Sequence, residues 1–185
     1  MPAWPEISSS LYGVWRLARR DPGGMNYLNL SVDGFWRSFF AALLAAPAYL
    51  IILLVQRAST AEEATWLADI SSYMLGWICW PLLALVVTRM LNLSQNFIPY
   101  IIAYNWANVL HINFLLPIAI ITHGGVMPDG VAVVLSLLAT LAVLLYMWWV
   151  ARVALGATTG VAIGFVILDV LLGFLLSRGT DALFS

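Results

Sequence analysis

The chain has 185 residues, of which 63% are hydrophobic and 9% are charged, and its formal net charge is -1. Soluble domains carry about 25% charged residues, so this balance excludes an ordinary water-soluble domain and indicates an integral membrane protein. All 8 basic residues are arginines spread along the chain, which excludes the basic tract that nucleic-acid binding requires. The single cysteine, Cys79, excludes a disulfide within the chain.

Residues 1–35 form a polar N-terminal segment that we expect to lie in the cytoplasm and to contain one short amphipathic helix. Residues 8–20 begin with serines, which cap helices well, and the Asp-Pro-Gly-Gly run at 21–24 ends the helix. Apolar side chains recur on one face with a period of 3.6 residues. The helix lies either on the membrane surface or against the bundle, and the sequence leaves both open. The residues expected to contact the membrane surface are Trp15, Arg16, Arg19 and Arg20.

Five apolar runs follow, each near the length of about 17–25 residues that a helix needs to cross a bilayer. Their continuity, without alternating polar residues, excludes a membrane β-barrel. The sequence therefore predicts an all-α integral membrane protein: a single bundle of five transmembrane helices over residues 36–178, preceded by the short amphipathic helix. An external C-terminal tail would cover residues 179–185. The predicted spans are 36–56, 70–91, 97–122, 131–150 and 159–177.

The placement of the arginines predicts the orientation, because loops on the cytoplasmic side carry the excess of basic residues. Only Arg57 and Arg178 fall at the ends of the spans opposite to the other arginines. We therefore expect a cytoplasmic N-terminus and an external C-terminus. The arginines assigned to the cytoplasmic side are Arg16, Arg19, Arg20, Arg37, Arg89 and Arg152.

The third predicted span carries polar residues at a depth where hydrocarbon offers them no hydrogen-bond partners. Tyr104, Asn108 and His111 share one stripe of that helix, and Asn105 lies beside the stripe. Asp169 comes near the middle of the fifth predicted span and so reaches the same depth. We expect it to be neutral, or paired with His111 or Asn108. These five residues are predicted to form a polar layer that either holds the helices together or carries protons or a solute.

Gly156, Gly160 and Gly164 recur every four residues at the start of the fifth predicted span. Such a ladder lets another helix approach backbone to backbone. The neighbour is either a helix of the same chain, which is the commoner case, or a helix of a second copy of the chain.

The sequence lacks the patterns that carry most enzymatic chemistry. It contains no G-x-x-x-x-G-K-[ST] and no G-x-G-x-x-G phosphate-binding loop. The histidines, His111 and His123, lie about 18 Å apart along one helix and cannot share a metal ion. Glu62 and Glu63 are adjacent and fit a hydrated loop better than a catalytic pair. We therefore expect no catalytic residues, no cofactor and no metal site.

The plan of a cytoplasmic N-terminal segment followed by five close-set spans, over about residues 30–178, resembles the Yip1-type membrane protein family. The stretch "LARRDPGG…LNLSVDGFWRSFF" is also similar to uncharacterised membrane proteins of high-GC proteobacteria. These resemblances imply a multi-pass protein of the bacterial inner (cytoplasmic) membrane, so the external C-terminus expected from the arginines would lie in the periplasm. The Yip1-like resemblance further implies a scaffold or a partner protein that organises the membrane.

The sequence supports two functional hypotheses of different classes. The first is a non-enzymatic inner-membrane scaffold or assembly protein that contacts the lipid bilayer and acts through a protein partner or as a homo-oligomer. The second is a small proton-coupled transporter or channel that uses the polar layer. A lipid-modifying enzyme is the weakest alternative, because the chain lacks a reactive pair of side chains.

Overall fold

The structure, a computed structural model, describes residues 1–60 and 66–184. Glu62 and Glu63, predicted to form a hydrated loop, lie outside the described residues, and so does the last residue of the predicted tail. The described part of the chain is helical and contains no strand. Short 3₁₀ turns at Pro22–Tyr27 and Ser94–Asn96 join some of the α-helices. These are α1 (Trp4–Ala18), α2 (Val32–Ser38), α3 (Phe40–Thr60), α4 (Trp66–Met90), α5 (Phe97–His123), α6 (Asp129–Leu155) and α7 (Thr159–Phe184).

Five of the helical segments are long and apolar enough to cross a membrane, which confirms the predicted all-α bundle with five spans. The first of them, Val32–Ala58, includes α2 and most of α3 and so begins earlier than predicted. The fifth span was predicted to end at residue 177, but α7 continues to Phe184. The predicted C-terminal tail is therefore mostly an extension of the fifth span, which adds one to two helical turns.

The first span contains a break between α2 and α3, and a residue of the third span, α5, stabilises this break. Ser31 caps α2, since its hydroxyl accepts a hydrogen bond from the backbone N–H of Gly34 at 3.0 Å. At the other end of α2, the Ser38 hydroxyl donates to the carbonyl oxygen of Phe35 at 2.7 Å. It also accepts a hydrogen bond of 2.9 Å from the side-chain amide of Asn105 on α5. Both side chains are buried, so a polar link joins the first and third spans in the core.

The helices do not pack in the order in which they follow one another. α5 packs along both α3 and α6, α4 packs along α7, and α6 contacts α7. Close backbone packing between α3 and α4 is not found among the described residues, although the two helices are successive. Long side chains connect them instead, which leaves space between α3, α4, α5 and α7.

The N-terminal helix packs against the bundle, which decides between the two placements that the sequence left open. Val14 and Leu17 on its apolar face are fully buried, and α1 contacts both α5 and α6. The Tyr146 hydroxyl of α6 donates a hydrogen bond of 3.1 Å to the carbonyl oxygen of Val14. α1 also begins earlier than predicted, at Trp4, because Pro5 fits the first helical turn.

A polar bridge connects the start of α1 to the first span. The Glu6 carboxylate accepts hydrogen bonds from the Asn29 amide at 3.1 Å and from the Arg37 guanidinium at 2.9 Å. Burial raises the pKa of Glu6, but these hydrogen bonds outweigh it and leave the pKa below its ordinary value. The carboxylate is therefore charged at neutral pH and fixes the Asn29 turn beside α2. Gly34 permits this turn, because a Cβ atom at position 34 would overlap the backbone carbonyl of Asn29.

We predict that Gly34→Ala lowers the stability of the protein in detergent by about 1–3 kcal/mol, the usual cost of overpacking. The added methyl group would displace the Asn29 turn and with it the contact to Glu6. Gly130→Ala is the matched control, because nothing in the described part of the chain lies within 4 Å of a Cβ at that position and alanine favours the helix. Thermal unfolding followed by circular dichroism measures both variants. Equal midpoints for the two variants would contradict the prediction.

Candidate functional site

A cavity of about 420 Å³ lies between α3, α4, α5 and α7, and both aromatic and polar side chains line it. It runs from the middle of the bundle towards its far end, defined as the end where α3 stops and α4 starts. Gln56 of α3 and Ser72 of α4 line the part nearest this end. The cavity is not closed, because Gln56 and Gly173 both line it and are exposed.

Asp169 and Tyr104 face each other in the inner part of the cavity. The hydroxyl of Tyr104 on α5 donates a hydrogen bond of 2.8 Å to Oδ1 of Asp169 on α7. The described residues that line the cavity include one aspartate, Asp169, and no glutamate, lysine or arginine. A lone carboxylate at this depth costs roughly 2.5–3.5 kcal/mol on insertion scales when charged, and an internal partner lowers this cost. The pair therefore gives the cavity an acidic group that is held in place.

Asn108 and His111 continue the polar lining along α5. The Asn108 amide donates a hydrogen bond of 2.9 Å to the backbone carbonyl of Tyr104, one turn earlier on the same helix. The Nδ1 atom of His111 is buried and has no hydrogen-bond partner within the described ranges. His111 also lines a second cavity of about 240 Å³ beside Trp15 and Tyr146. A buried imidazole nitrogen without a protein partner is suited to bind water or a ligand.

Aromatic rings close the inner end of the cavity. The rings of Trp80 and Tyr104 lie 5.4 Å apart, and the ring of Tyr100 lies 5.9 Å from that of Tyr104. Phe165 of α7 packs edge-to-face against Trp80 at 6.2 Å and against Tyr100 at 5.3 Å. Trp80, Tyr100 and Phe165 are each at most 2% exposed. We call these four side chains the aromatic plug, and it separates the cavity from the opposite end of the bundle.

The sides of the cavity are held by contacts between α3 and α4. The Tyr49 and Tyr73 rings stack with their centres 4.6 Å apart, and the Tyr73 hydroxyl donates to the carbonyl oxygen of Ala42 at 2.6 Å. Arg57 near the end of α3 forms an ion pair with Asp69 near the start of α4. These long side chains span a gap that the helix backbones leave open.

The predicted polar layer is assembled in part. Tyr104, Asn108, His111 and Asp169 all line the cavity, but the direct partner of Asp169 is Tyr104, rather than His111 or Asn108 as expected. Asn105 is not part of the layer. It follows Tyr104 directly on α5 and so lies on another face of the helix, where its side-chain amide donates a hydrogen bond to Ser38. The hydroxyl of tyrosine reaches further than an asparagine amide, which explains why it meets the carboxylate first.

The predicted glycine ladder does not exist as one feature. Gly156 is not in α7, because it ends α6 with the left-handed backbone angle φ of 59° that glycine adopts readily. Gly160 and Gly164 do lie in α7, yet no atom of the described residues lies within 4 Å of a Cβ built on either. They therefore do not bring a second helix of this chain close, and their side of α7 remains open.

The residues predicted to contact the membrane surface are only partly available to it. Arg16 pairs with Asp21, and this hydrogen bond, together with that from the backbone N–H of Gly23, lowers the pKa of Asp21. Arg20 lies over the Trp148 ring of α6, 5.2 Å from its centre. Trp15 is 50% exposed and Arg19 is exposed, so these two still face outward.

Sequence reasoning missed the aromatic wall of the cavity. Tyr73, Trp77 and Trp80 of α4 line it together with Tyr49 of α3. Their spacing on α4 is i, i+4 and i+7, which puts all three on one helical face. That periodicity was a usable signal, because aromatic residues on one face in the middle of a span differ from the aromatic belts found at span ends.

Comparison of the chain with protein-family models, with curated proteins and with solved structures finds no match.

We predict that water reaches the cavity, so Gly173→Cys reacts with a charged, membrane-impermeant thiol reagent in vesicles. Phe174→Cys is the matched control, because Phe174 is 58% exposed at the same depth but sits on the apolar outer surface, where a thiol in lipid does not ionise. Both variants carry Cys79→Ala, and mass spectrometry measures the labelled fraction. Equal labelling of the two positions would contradict a water-filled cavity.

Proposed function

We propose that this protein is a small membrane carrier that binds a water-soluble solute in the cavity between α3, α4, α5 and α7 and exchanges it for protons at Asp169. The observation that carries the proposal is the contact between Asp169 and Tyr104 inside a cavity with one closed end. A group that served only to join helices would be expected to lie in packed core, as Asn105 and Ser38 do. Asp169 instead borders a space large enough for a solute.

The arrangement fits one state of a carrier. The cavity extends to the far end of the bundle, whereas the aromatic plug closes it on the other side. Transport would require the four side chains of the aromatic plug to separate. At the same time α3 and α4 would have to approach each other and close the gap between them. The plug belongs to α4, α5 and α7, so a tilt of the α4–α7 pair relative to α5 would open it.

We place the protein in the bacterial inner membrane with its N-terminus in the cytoplasm, so that the cavity opens towards the periplasm. The distribution of arginines supports this orientation. Arg20 and Arg152 both lie near the Trp148 ring at the end of the bundle where α6 stops, and this group of arginine and tryptophan suits a cytoplasmic membrane interface.

We predict that Asp169→Asn removes pH-driven proton flux without reducing the yield of folded protein. In vesicles with an imposed pH gradient, a trapped pH-sensitive dye and a small-molecule cell extract as the source of exchangeable solute, the variant should match protein-free vesicles, because the amide cannot carry a proton. Asp181→Asn is the matched control, since it makes the same change at an exposed position of the same helix. Flux through Asp169→Asn equal to that of the unchanged protein would contradict the carrier.

A scaffold or assembly protein is the second candidate, and one observation favours it. No atom of the described chain lies within 4 Å of a Cβ atom built at Gly160 or at Gly164 of α7. Small residues that leave a helix face open allow a helix of a second copy, or of a partner, to approach closely. The scaffold suggested by the Yip1-like plan would use this face and would leave the cavity without a solute.

We predict that, if α7 mediates association, Gly164→Leu abolishes co-purification of two differently tagged copies of the chain. No atom of the described residues lies within 4 Å of a Cβ at position 164, so we expect the leucine variant to fold, which its circular dichroism spectrum checks. Val170→Leu, on an exposed position of the same helix, serves as the control. If the two tagged copies never co-purify, or if Gly164→Leu leaves their association intact, self-association through this face is wrong.

A further inference from the structure

We propose that the solute is a small organic cation, such as an alkylammonium, bound between Asp169 and the aromatic wall of the cavity. The inference rests on the proposed function, since it names the class of solute for the same cavity. Three observations carry it: the sign of the charge, the nature of the wall and the size of the space.

The charge in the cavity selects for a positive solute. Asp169 supplies a carboxylate to the wall of the cavity. No other Asp, Glu, Lys or Arg among the described residues lines it. Arg57 is paired with Asp69 and does not line the cavity, so it does not neutralise Asp169 there. An anion would meet an uncompensated carboxylate in a region of low dielectric, where like charges repel strongly. A cation would meet the partner that its charge requires.

The wall of the cavity is suited to an organic cation. Tyr49, Tyr73, Trp77, Trp80 and Tyr104 contribute rings to the lining. Aromatic faces attract ammonium groups, and aromatic cages recognise quaternary ammonium ligands and methylated lysines. Hard metal cations such as Ca²⁺ take six or more oxygen ligands, whereas most of this wall is carbon. The combination therefore favours an alkylated ammonium over a metal ion.

The aromatic and acidic groups are close enough to act on one solute. Tyr104 is in contact with both, because its hydroxyl binds Asp169 and its ring lies 5.4 Å from that of Trp80. Trp77 lies one helical turn further towards the far end, with its ring 6.1 Å from that of Tyr73. The volume of about 420 Å³ falls within the range of small-molecule sites. The positive group would bind near Asp169, with Trp77 and Tyr73 beside its alkyl groups.

Equilibrium binding of radiolabelled choline to the purified full-length protein in detergent tests the proposal. Unlabelled tetramethylammonium and ethylammonium should compete with choline. Acetate should not compete, and the uncharged isostere of choline, in which carbon replaces nitrogen, should bind at least about tenfold more weakly. The isostere has the same shape, so this comparison isolates the charge.

Variants then locate the site. Asp169→Asn should weaken choline binding by at least about tenfold, because it removes the charge partner. Trp77→Leu should weaken it by about two- to thirtyfold, and Trp77→Phe should retain more affinity than Trp77→Leu, because it keeps an aromatic face. Asp181→Asn should bind choline as the unchanged protein does. The circular dichroism spectrum and unfolding midpoint of each variant show whether it is folded, and Trp77→Phe keeps the test valid if Trp77→Leu does not fold.

The outcomes separate this inference from the carrier. If the isostere or acetate competes as well as the cations do, or if none of the three cations binds while Asp169-dependent proton flux persists, the cation inference is overturned and the carrier stands. If choline binds but Asp169→Asn binds it equally well, the assigned site is overturned. If neither binding nor Asp169-dependent flux is found, the proposed function fails, and the inference fails with it.

Discussion

The absence of hydrogen-bond partners in hydrocarbon is the constraint on which the structure depends, since it favours polar side chains of a spanning helix that face a partner inside the protein or a wet cavity. α5 meets this requirement in several ways. Tyr104 binds Asp169 on α7, and Asn105 binds Ser38 at the break in the first span. Asn108 donates to the backbone of its own helix. Adjacent residues of one helix therefore join two different parts of the bundle.

The packing order of the helices converts this constraint into a site. α4 packs along α7 and α3 packs along α5, so the successive helices α3 and α4 are not close neighbours. The gap is bridged by Tyr49, Tyr73 and the ion pair of Arg57 with Asp69. Space remains behind these side chains, and the stripe of α5 that carries Tyr104 borders it. In a tightly packed bundle the polar residues of this stripe would form hydrogen bonds between helices. Here they line a cavity.

The sequence was sufficient to predict what depends on hydropathy and insufficient for what depends on packing. The five spans follow from continuous apolar length and are confirmed. The depth of Asp169 was also predictable, but its partner was not, because reach and rotation of side chains decide between Tyr104 and His111. The position of Asn105 depends on Ser38, which lies at a helix break that hydropathy does not reveal. Gly156 could have been recognised as a helix end, since Arg152 precedes it in the last turn, as is typical of such ends.

The central claim is that Tyr104 and Asp169 contact each other inside the bundle, and a double-mutant cycle tests it most directly. The free energy of unfolding in detergent would be measured for Tyr104→Phe, for Asp169→Asn, for the double variant and for the unchanged protein. The structure predicts an interaction energy between about 0.6 and about 1.7 kcal/mol, the average and the maximum measured for hydrogen bonds between membrane helices. Tyr146→Phe combined with Asp169→Asn should be additive, because Tyr146 binds Val14 instead. Additive effects for Tyr104 and Asp169 would contradict the contact and the account built on it.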